Sequence, residues 1–288
     1  MTHRVLRLLR CLQAAKFKVT LFIAATFAFV GVTLIRSGEP LGVLSDQWCL
    51  ITDSAQKKPD DIERQYGITI HYEDGVNAIP ALWRAPPSNG MAEPITKRNM
   101  CHVTPILFRE LRKYPGSVIQ DTLTDIYLLN SLSFYGVDYG GTSLGLALYL
   151  TVGSRGDGYN DAYLSKLVHH EMSSVFFRIH LFPSDAWAAV NSKSFAYADA
   201  DDDILSAIKN GGSDADVERY YHEGFLSNYG YSTLENDFNL YAEMAFTNPE
   251  KLRALANIHP RIRQKSVLLK GFYRGISKDF FLQLKIAH

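Results

Sequence analysis

The sequence predicts an α+β domain behind a single N-terminal transmembrane helix, and three observations carry that expectation. Residues 19–35, VTLFIAATFAFVGVTLI, form an uncharged apolar run. Two apolar runs rich in β-branched and aromatic residues lie between 125 and 153, and helical patterns follow from Asp161 to the C-terminus. Strands first and helices after is the order of an α+β chain. The 288 residues, 47% hydrophobic and 12% aromatic, suffice for one sizeable core.

The N-terminal run comes first. Seventeen helical residues span about 25 Å, slightly short of the roughly 30 Å hydrocarbon core, and Lys18 and Arg36 at its ends can snorkel outward. Arg4, Arg7, Arg10, Lys16 and Lys18 precede it and Arg36 alone follows it closely, so residues 1–18 should be cytoplasmic. Leu34-Ile35-Arg36-Ser37-Gly38 is a poor cleavage site, which favours a signal anchor over a removed signal peptide. The expected location is therefore the inner membrane, single-pass, with the body on the periplasmic side. Residues 36–60 read as a stalk and 61–288 as the folded domain. Cys49 and Cys101 follow the span and can pair or stay apart; Cys11 precedes it.

Within the body, GITIHYEDG at 67–75 alternates like a strand and ends in a turn. ALWRAPPSNGMAEP at 81–94 reads as a loop. Helical spacing covers Thr104 to Lys113, stopped by Tyr114-Pro115-Gly116. The runs from Asp125 and from Tyr139 to Gly153 read as two strands. Helices are expected over Asp161–His180, Leu234–Phe246, Pro249–Ala256 and Arg261–Leu284, the last as an amphipathic surface helix bearing Arg261, Arg263, Lys265 and Lys270.

Charge excludes one class of function. The chain has 30 bases and 30 acids, but five bases sit in the first 18 residues, leaving 25 bases against 30 acids. Such a body is a poor nucleic-acid surface, which needs clustered positive charge. Gly140-Gly141-Thr142-Ser143 lacks the lysine of a phosphate loop, and no serine sits in a G-x-S-x-G elbow. Asp199, Asp201 and Asp203 imitate the start of a calcium loop, but Ile204 holds its glycine position.

The chemistry concentrates on two helices. The first contains His169-His170-Glu171-Met172-Ser173-Ser174. Two histidines at i and i+4 of a helix can hold one zinc, with the glutamate after the first acting as base. Here the i+4 position is Ser174. The second helix carries Glu235, Asn239 and Glu243 at i, i+4 and i+8, one polar stripe on an otherwise apolar element. A half-buried carboxylate stripe needs partners, and imidazoles from the first helix would serve.

HHEMSSVF followed by YGYSTLENDFNLYAE resembles the gluzincin zinc peptidases, and more specifically a group of bacterial envelope proteins described as zinc-binding metallopeptidases that carry an HHE-[FM]-SS variant. The similarity runs from about Lys113 to the C-terminus. It implies a zincin-like metallopeptidase domain, a zinc cofactor and a peptide or protein substrate. It places His170 and Glu235 as zinc ligands, Glu171 as general base, and Asn239 or Glu243 as braces behind a ligand. Tyr229 or Tyr231 would donate to the oxyanion, and Tyr139-Gly140-Gly141-Thr142 would border the cleft. Ser174 departs from the pattern. His169, about 100° round the helix from His170, suits a supporting role, and His180, His222 and Asp237 are further candidates for the missing ligand. Two functions follow: a membrane-anchored zinc peptidase, or a catalytically degenerate relative that binds peptide or an envelope partner.

Overall fold

The computed structural model describes residues 57–197 and 217–280. All belong to one compact unit that begins at Ser54. The expected span at 19–35, the segment before it, Cys11, Cys49, the stalk up to residue 56 and the acidic loop at 199–203 lie outside the described residues. No described helix is long and apolar enough to cross a membrane.

The elements run in chain order as follows. Helix α1 (Lys57–Tyr66) leads into β1 (Thr69–His71), a short 3-10 turn and α2 (Ala81–Arg84). Then come β2 (Met91–Pro94), α3 (Lys97–Leu111), α4 (Gly116–Thr122) and four strands: β3 (Asp125–Phe134), β4 (Val137–Asp138), β5 (Gly141–Leu144) and β6 (Ala147–Thr151). Helices α5 (Asp161–Ile179), α6 (Ser184–Ala188), α7 (Val217–Glu223), α8 (Leu234–Thr247), α9 (Pro249–Ile258) and α10 (Pro260–Ile276) complete the described chain. Strands precede most helices, and the fold is mixed α/β with one mixed sheet.

Strand β3 is the spine of that sheet. Its first half pairs in parallel with β1 (Ile70 opposite Ile126) and with β6 (Leu128 opposite Leu150). Its second half pairs antiparallel with β2 and β4. Ile126, Leu128, Leu148 and Leu150, paired across the two strands on one face of the sheet, are all at most 1% exposed, so that face is fully covered. Strand β5 ends the order β1-β3-β6-β5 and pairs only with β6. Its outer edge has no strand partner among the described residues.

Three expectations need correction. The run 139–153 is a hairpin rather than one strand, because Gly145, at φ +57°, turns the chain between Leu144 and Ala147. The stretch 81–94 is structured: α2 sits there, and Met91–Pro94 joins the sheet against Ser133 to Leu129. Pro94 is tolerated because the register shifts at Glu93/Pro94, where no ladder donor is needed. Finally, Lys265 is not on a surface face but completely buried.

Local signals fix the helices that build the site. Asn160 caps α5 by accepting from the Tyr163 amide at 3.0 Å, and Thr233 caps α8 by accepting from Asn236 at 3.0 Å. Pro249 and Pro260 open α9 and α10 at positions that need no amide donor. Apolar burial locks α5 to α8: Val175, Phe176, Phe238, Tyr241 and Ala242 are fully excluded from solvent. Each large side chain so buried contributes about 1.5–3 kcal/mol. Into this core α10 inserts Lys265, whose ammonium donates to Asp237 Oδ2 at 2.6 Å and to the Gly224 carbonyl at 3.0 Å. Trp187 and Tyr197 donate to the same carboxylate at 2.8 and 2.7 Å. A buried charge pair of this kind tolerates the interior only because each partner is neutralised and hydrogen-bonded.

Candidate functional site

Helices α5 and α8 pack antiparallel, and their polar positions meet in three steps. At one end His170 Nδ1 donates to Glu243 Oε1 at 2.6 Å. In the middle Ser173 Oγ donates to Asn239 Oδ1 at 2.7 Å, and Asn239 Nδ2 donates to Ser174 Oγ at 2.8 Å. At the far end Arg178 stands 3.5 Å from Glu235. The i, i+4, i+8 stripe of α8 therefore finds its partners on α5.

Above the His170 end lies a cavity of about 400 Å³. Asp138, Tyr139, Gly140 and Gly141 line one wall, Tyr163, Lys166, Leu167, His170 and Glu171 the floor, and Tyr229 and Glu243 the opposite side. The two glycines let the helix approach the strand. A Cβ on Gly140 would stand 2.1 Å from the Tyr163 hydroxyl, and one on Gly141 would stand 2.8 Å from the Tyr149 carbonyl and 3.0 Å from Glu171 Oε1. Only backbone without side chains can sit so close to these groups.

The electrostatics are those of a partly desolvated acid–base cluster. Burial opposes the positive charge on His170, but the Glu243 hydrogen bond and the carboxylates of Glu243, Glu171 and Glu235 outweigh it and raise the imidazole to about 9. Burial pushes the Glu171 carboxyl up to about 7; His170 and Arg178 pull it down, Glu235 pushes it further up, and a hydrogen bond to Ser143 lowers it slightly. Burial, with Glu171 and Glu243 close by, raises the Tyr229 phenol as well. Burial takes Tyr163 to about 12. At neutral pH the cavity thus offers an imidazolium, three phenols (Tyr139, Tyr163 and Tyr229) and a carboxyl that can either donate or accept.

The remaining candidates lie apart from the cavity. Tyr231 donates to Glu223 and packs edge-on against Phe225 at 4.5 Å, so its hydroxyl serves α7. Glu235, paired with Arg178, does not line the cavity. His169 is completely buried behind His170: its Nε2 donates to Glu110 Oε2 at 2.8 Å and its Nδ1 accepts from Tyr114 at 2.6 Å. Burial lowers this imidazole to about 4, and the hydrogen bonds from His169, Lys113 and Arg109 hold Glu110 at about 2 against its own burial. His169 is accordingly neutral beside an ionised glutamate. Asp237 is committed to Lys265, and His180 stands against Phe272 at the end of α5.

Glu243 is the residue whose role differs most from expectation. The sequence offered Glu235 as the partner of His170, with Glu243 behind it. The helix crossing brings Glu243 to the imidazole and Glu235 two turns away. Since α5 and α8 run antiparallel, pairing at Ser174–Asn239 fixes His170 opposite the later acid.

A catalytic zinc takes three protein ligands and an open position. Ser174, where the second imidazole would stand, has its hydroxyl engaged by Asn239, and His170, Glu171, Glu235 and Glu243 do not bring three ligand atoms within 4.8 Å of one another. These donors do not make that set. Among the described residues, the group of that kind is Glu218, His222 and His259, which could hold a metal ion elsewhere on the molecule.

No protein-family model matches the chain. No curated protein matches it either. Among solved structures it is similar to the crystal structure of a protein from Bacteroides caccae described as a putative zinc-binding metallo-peptidase, at 15% identity and a TM-score of 0.49, over 81% of this chain and 90% of that one.

Proposed function

We propose that the chain is a membrane-anchored, extracytoplasmic peptide-binding protein of zincin-like build whose cleft works without a catalytic zinc. The observation that carries this reading is the Ser174–Asn239 hydrogen bond at 2.8 Å, which fills with a satisfied polar pair the place where a second imidazole would be needed. Beside that pair the cavity of about 400 Å³ stays open to a ligand. Strand β5 offers an outer edge for an extended peptide to add to, the mode in which backbone hydrogen bonds give affinity. Gly140 and Gly141 hold the strand's own backbone close to Tyr163 and Glu171, so that the edge and the cavity adjoin. A carboxyl near 7 and an imidazolium near 9 supply an acceptor and a donor for a peptide group.

The anchor rests on the uncharged run at 19–35 and the five bases before it. Cys101, buried and disulfide-bonded, suits an oxidising compartment. A second reading, hydrolysis with Glu171 as general base, is favoured by one observation: its carboxyl stands near neutrality, where proton transfer is most effective. One experiment separates the two. The purified protein is incubated with a fluorescent peptide mixture, with and without added zinc. Binding without cleavage supports the first reading; cleavage that disappears in Glu171→Gln, with binding retained, replaces it with the second.

A further inference from the structure

We infer that Glu218, His222 and His259 form a binding site for a divalent transition metal, distinct from the cleft, that ties α7 to the junction of α9 and α10. The inference does not rest on the cleft's function.

The geometry begins with spacing. Glu218 and His222 stand at i and i+4 on α7 and so share a face. His259 lies between α9 and α10, immediately before Pro260, and is 3% exposed. Its Nε2 is 3.7 Å from Glu218 Oε1, and His222 Nε2 is 3.8 Å from the same oxygen. The two imidazoles meet edge to face with centroids 5.2 Å apart. All three ligand atoms lie within 4.8 Å of one another.

Those separations are too long for hydrogen bonds. They are close to the edge of a coordination tetrahedron: bonds of about 2.0–2.1 Å at tetrahedral angles put neighbouring ligand atoms roughly 3.3 Å apart. The side chains of Glu218 and His222, 70% and 74% exposed, are free to move inward and close the set around one ion. The third ligand is already fixed, because His259 is buried and its ring packs 5.6 Å from Tyr221.

The surrounding charges leave this group intact. Arg219 and the Tyr231 hydroxyl engage Glu223, and Arg261 donates to the His222 carbonyl at 3.3 Å. Glu218 is therefore the acid that faces the two rings. Two imidazoles and one carboxylate suit zinc, and by the usual affinity order copper and nickel too, better than calcium or magnesium, which prefer all-oxygen sets. With three protein ligands and an open fourth position, one ion would join α7, through Glu218 and His222, to the junction of α9 and α10, through His259.

The test is zinc binding to the full-length protein, stripped with chelator and titrated calorimetrically, with His222→Ala, Glu218→Gln and His170→Ala compared. The side chain of His222 is mostly exposed, so His222→Ala should fold normally, as far-ultraviolet circular dichroism checks. One equivalent of zinc should bind, and His170→Ala should leave it unchanged. His222→Ala should weaken it by at least the roughly 10- to 100-fold that loss of even an outer-shell partner costs. Cobalt in place of zinc should give ligand-field bands that vanish in the same variant. Zinc binding that survives His222→Ala unchanged, or is lost in His170→Ala, overturns the site, as does no binding at all.

Discussion

Replacing Glu243 by Gln removes the negative partner of His170 while keeping the size of the side chain. In the native protein the imidazole is raised from 6.5 to about 9. That difference corresponds to about 3 kcal/mol of preference for the charged ring in the folded state. Burial acts against it, while Glu243, Glu171 and Glu235 share the favourable part, with Glu243 the largest contributor. Removal of Glu243 alone should therefore cost about 1–2 kcal/mol. The sign sets the pH window. A raised histidine stabilises the fold fully below 6.5, and that contribution is lost as the pH rises through about 9. The stability gap between wild type and Glu243→Gln should thus be about 1–2 kcal/mol at pH 6.5 and nearly closed at pH 10. Urea denaturation at both pH values measures the gap, and nitrogen-15 NMR of the His170 ring follows its titration directly. A ring that titrates near 6.5 in the wild type, or a gap that does not shrink with pH, refutes the reasoning.

Three further outcomes follow from the packing. Lys265→Ala should destabilise the protein by about 3–5 kcal/mol, because it strands the Asp237 carboxylate in the core, and Lys265→Met should cost less than Lys265→Ala since it keeps the volume; thermal denaturation decides. Gly141→Ala should cost about 1–3 kcal/mol and weaken peptide binding, since its Cβ would meet the Tyr149 carbonyl at 2.8 Å and Glu171 at 3.0 Å. Ser174→His restores an i, i+4 pair with His170 and should add a zinc-binding equivalent that persists in the His222→Ala background, measured by calorimetry.

The two helices that build the site were legible because caps and apolar periodicity agree with the packed structure: Asn160 and Thr233 start α5 and α8 where sequence spacing begins. Elsewhere the reading missed: the helix expected over Arg261–Leu284 ends at Ile276, α1 begins inside the expected stalk, and α4 was not foreseen. The strands were less so. A hydrophobic run says nothing about where it folds back, and Gly145 was the one available signal for the turn in 139–153. The short β2 was hidden by Pro and Gly, whose loop preference yields here to pairing with β3. His170, Glu171 and Glu243 were nameable from spacing and Tyr229 from the family resemblance, as one of two tyrosines, and the four do line one cavity. Which acid would meet His170 was not, because the offset between two antiparallel helices is a tertiary quantity. Tyr229 and Tyr231 look alike in sequence, yet one faces the cavity and the other bonds Glu223. Lys265 looked like surface because nothing in its own helix reveals that Asp237, from α8, waits beneath it. A cation in an amphipathic pattern paired with a lone acid in another apolar helix is the signal that could have found it.

In the proposed function the β5 edge and the His170–Glu171 cavity bind peptide without cutting it. The most direct measurement is hydrogen exchange of the protein with a peptide mixture present, read alongside mass analysis of the recovered peptides. Exchange should slow at Gly141–Leu144, with the slowing lost in Gly141→Ala and the peptides recovered whole. Unchanged exchange along that strand, or peptides recovered as fragments by a protein whose Glu171→Gln form leaves them intact, would contradict it.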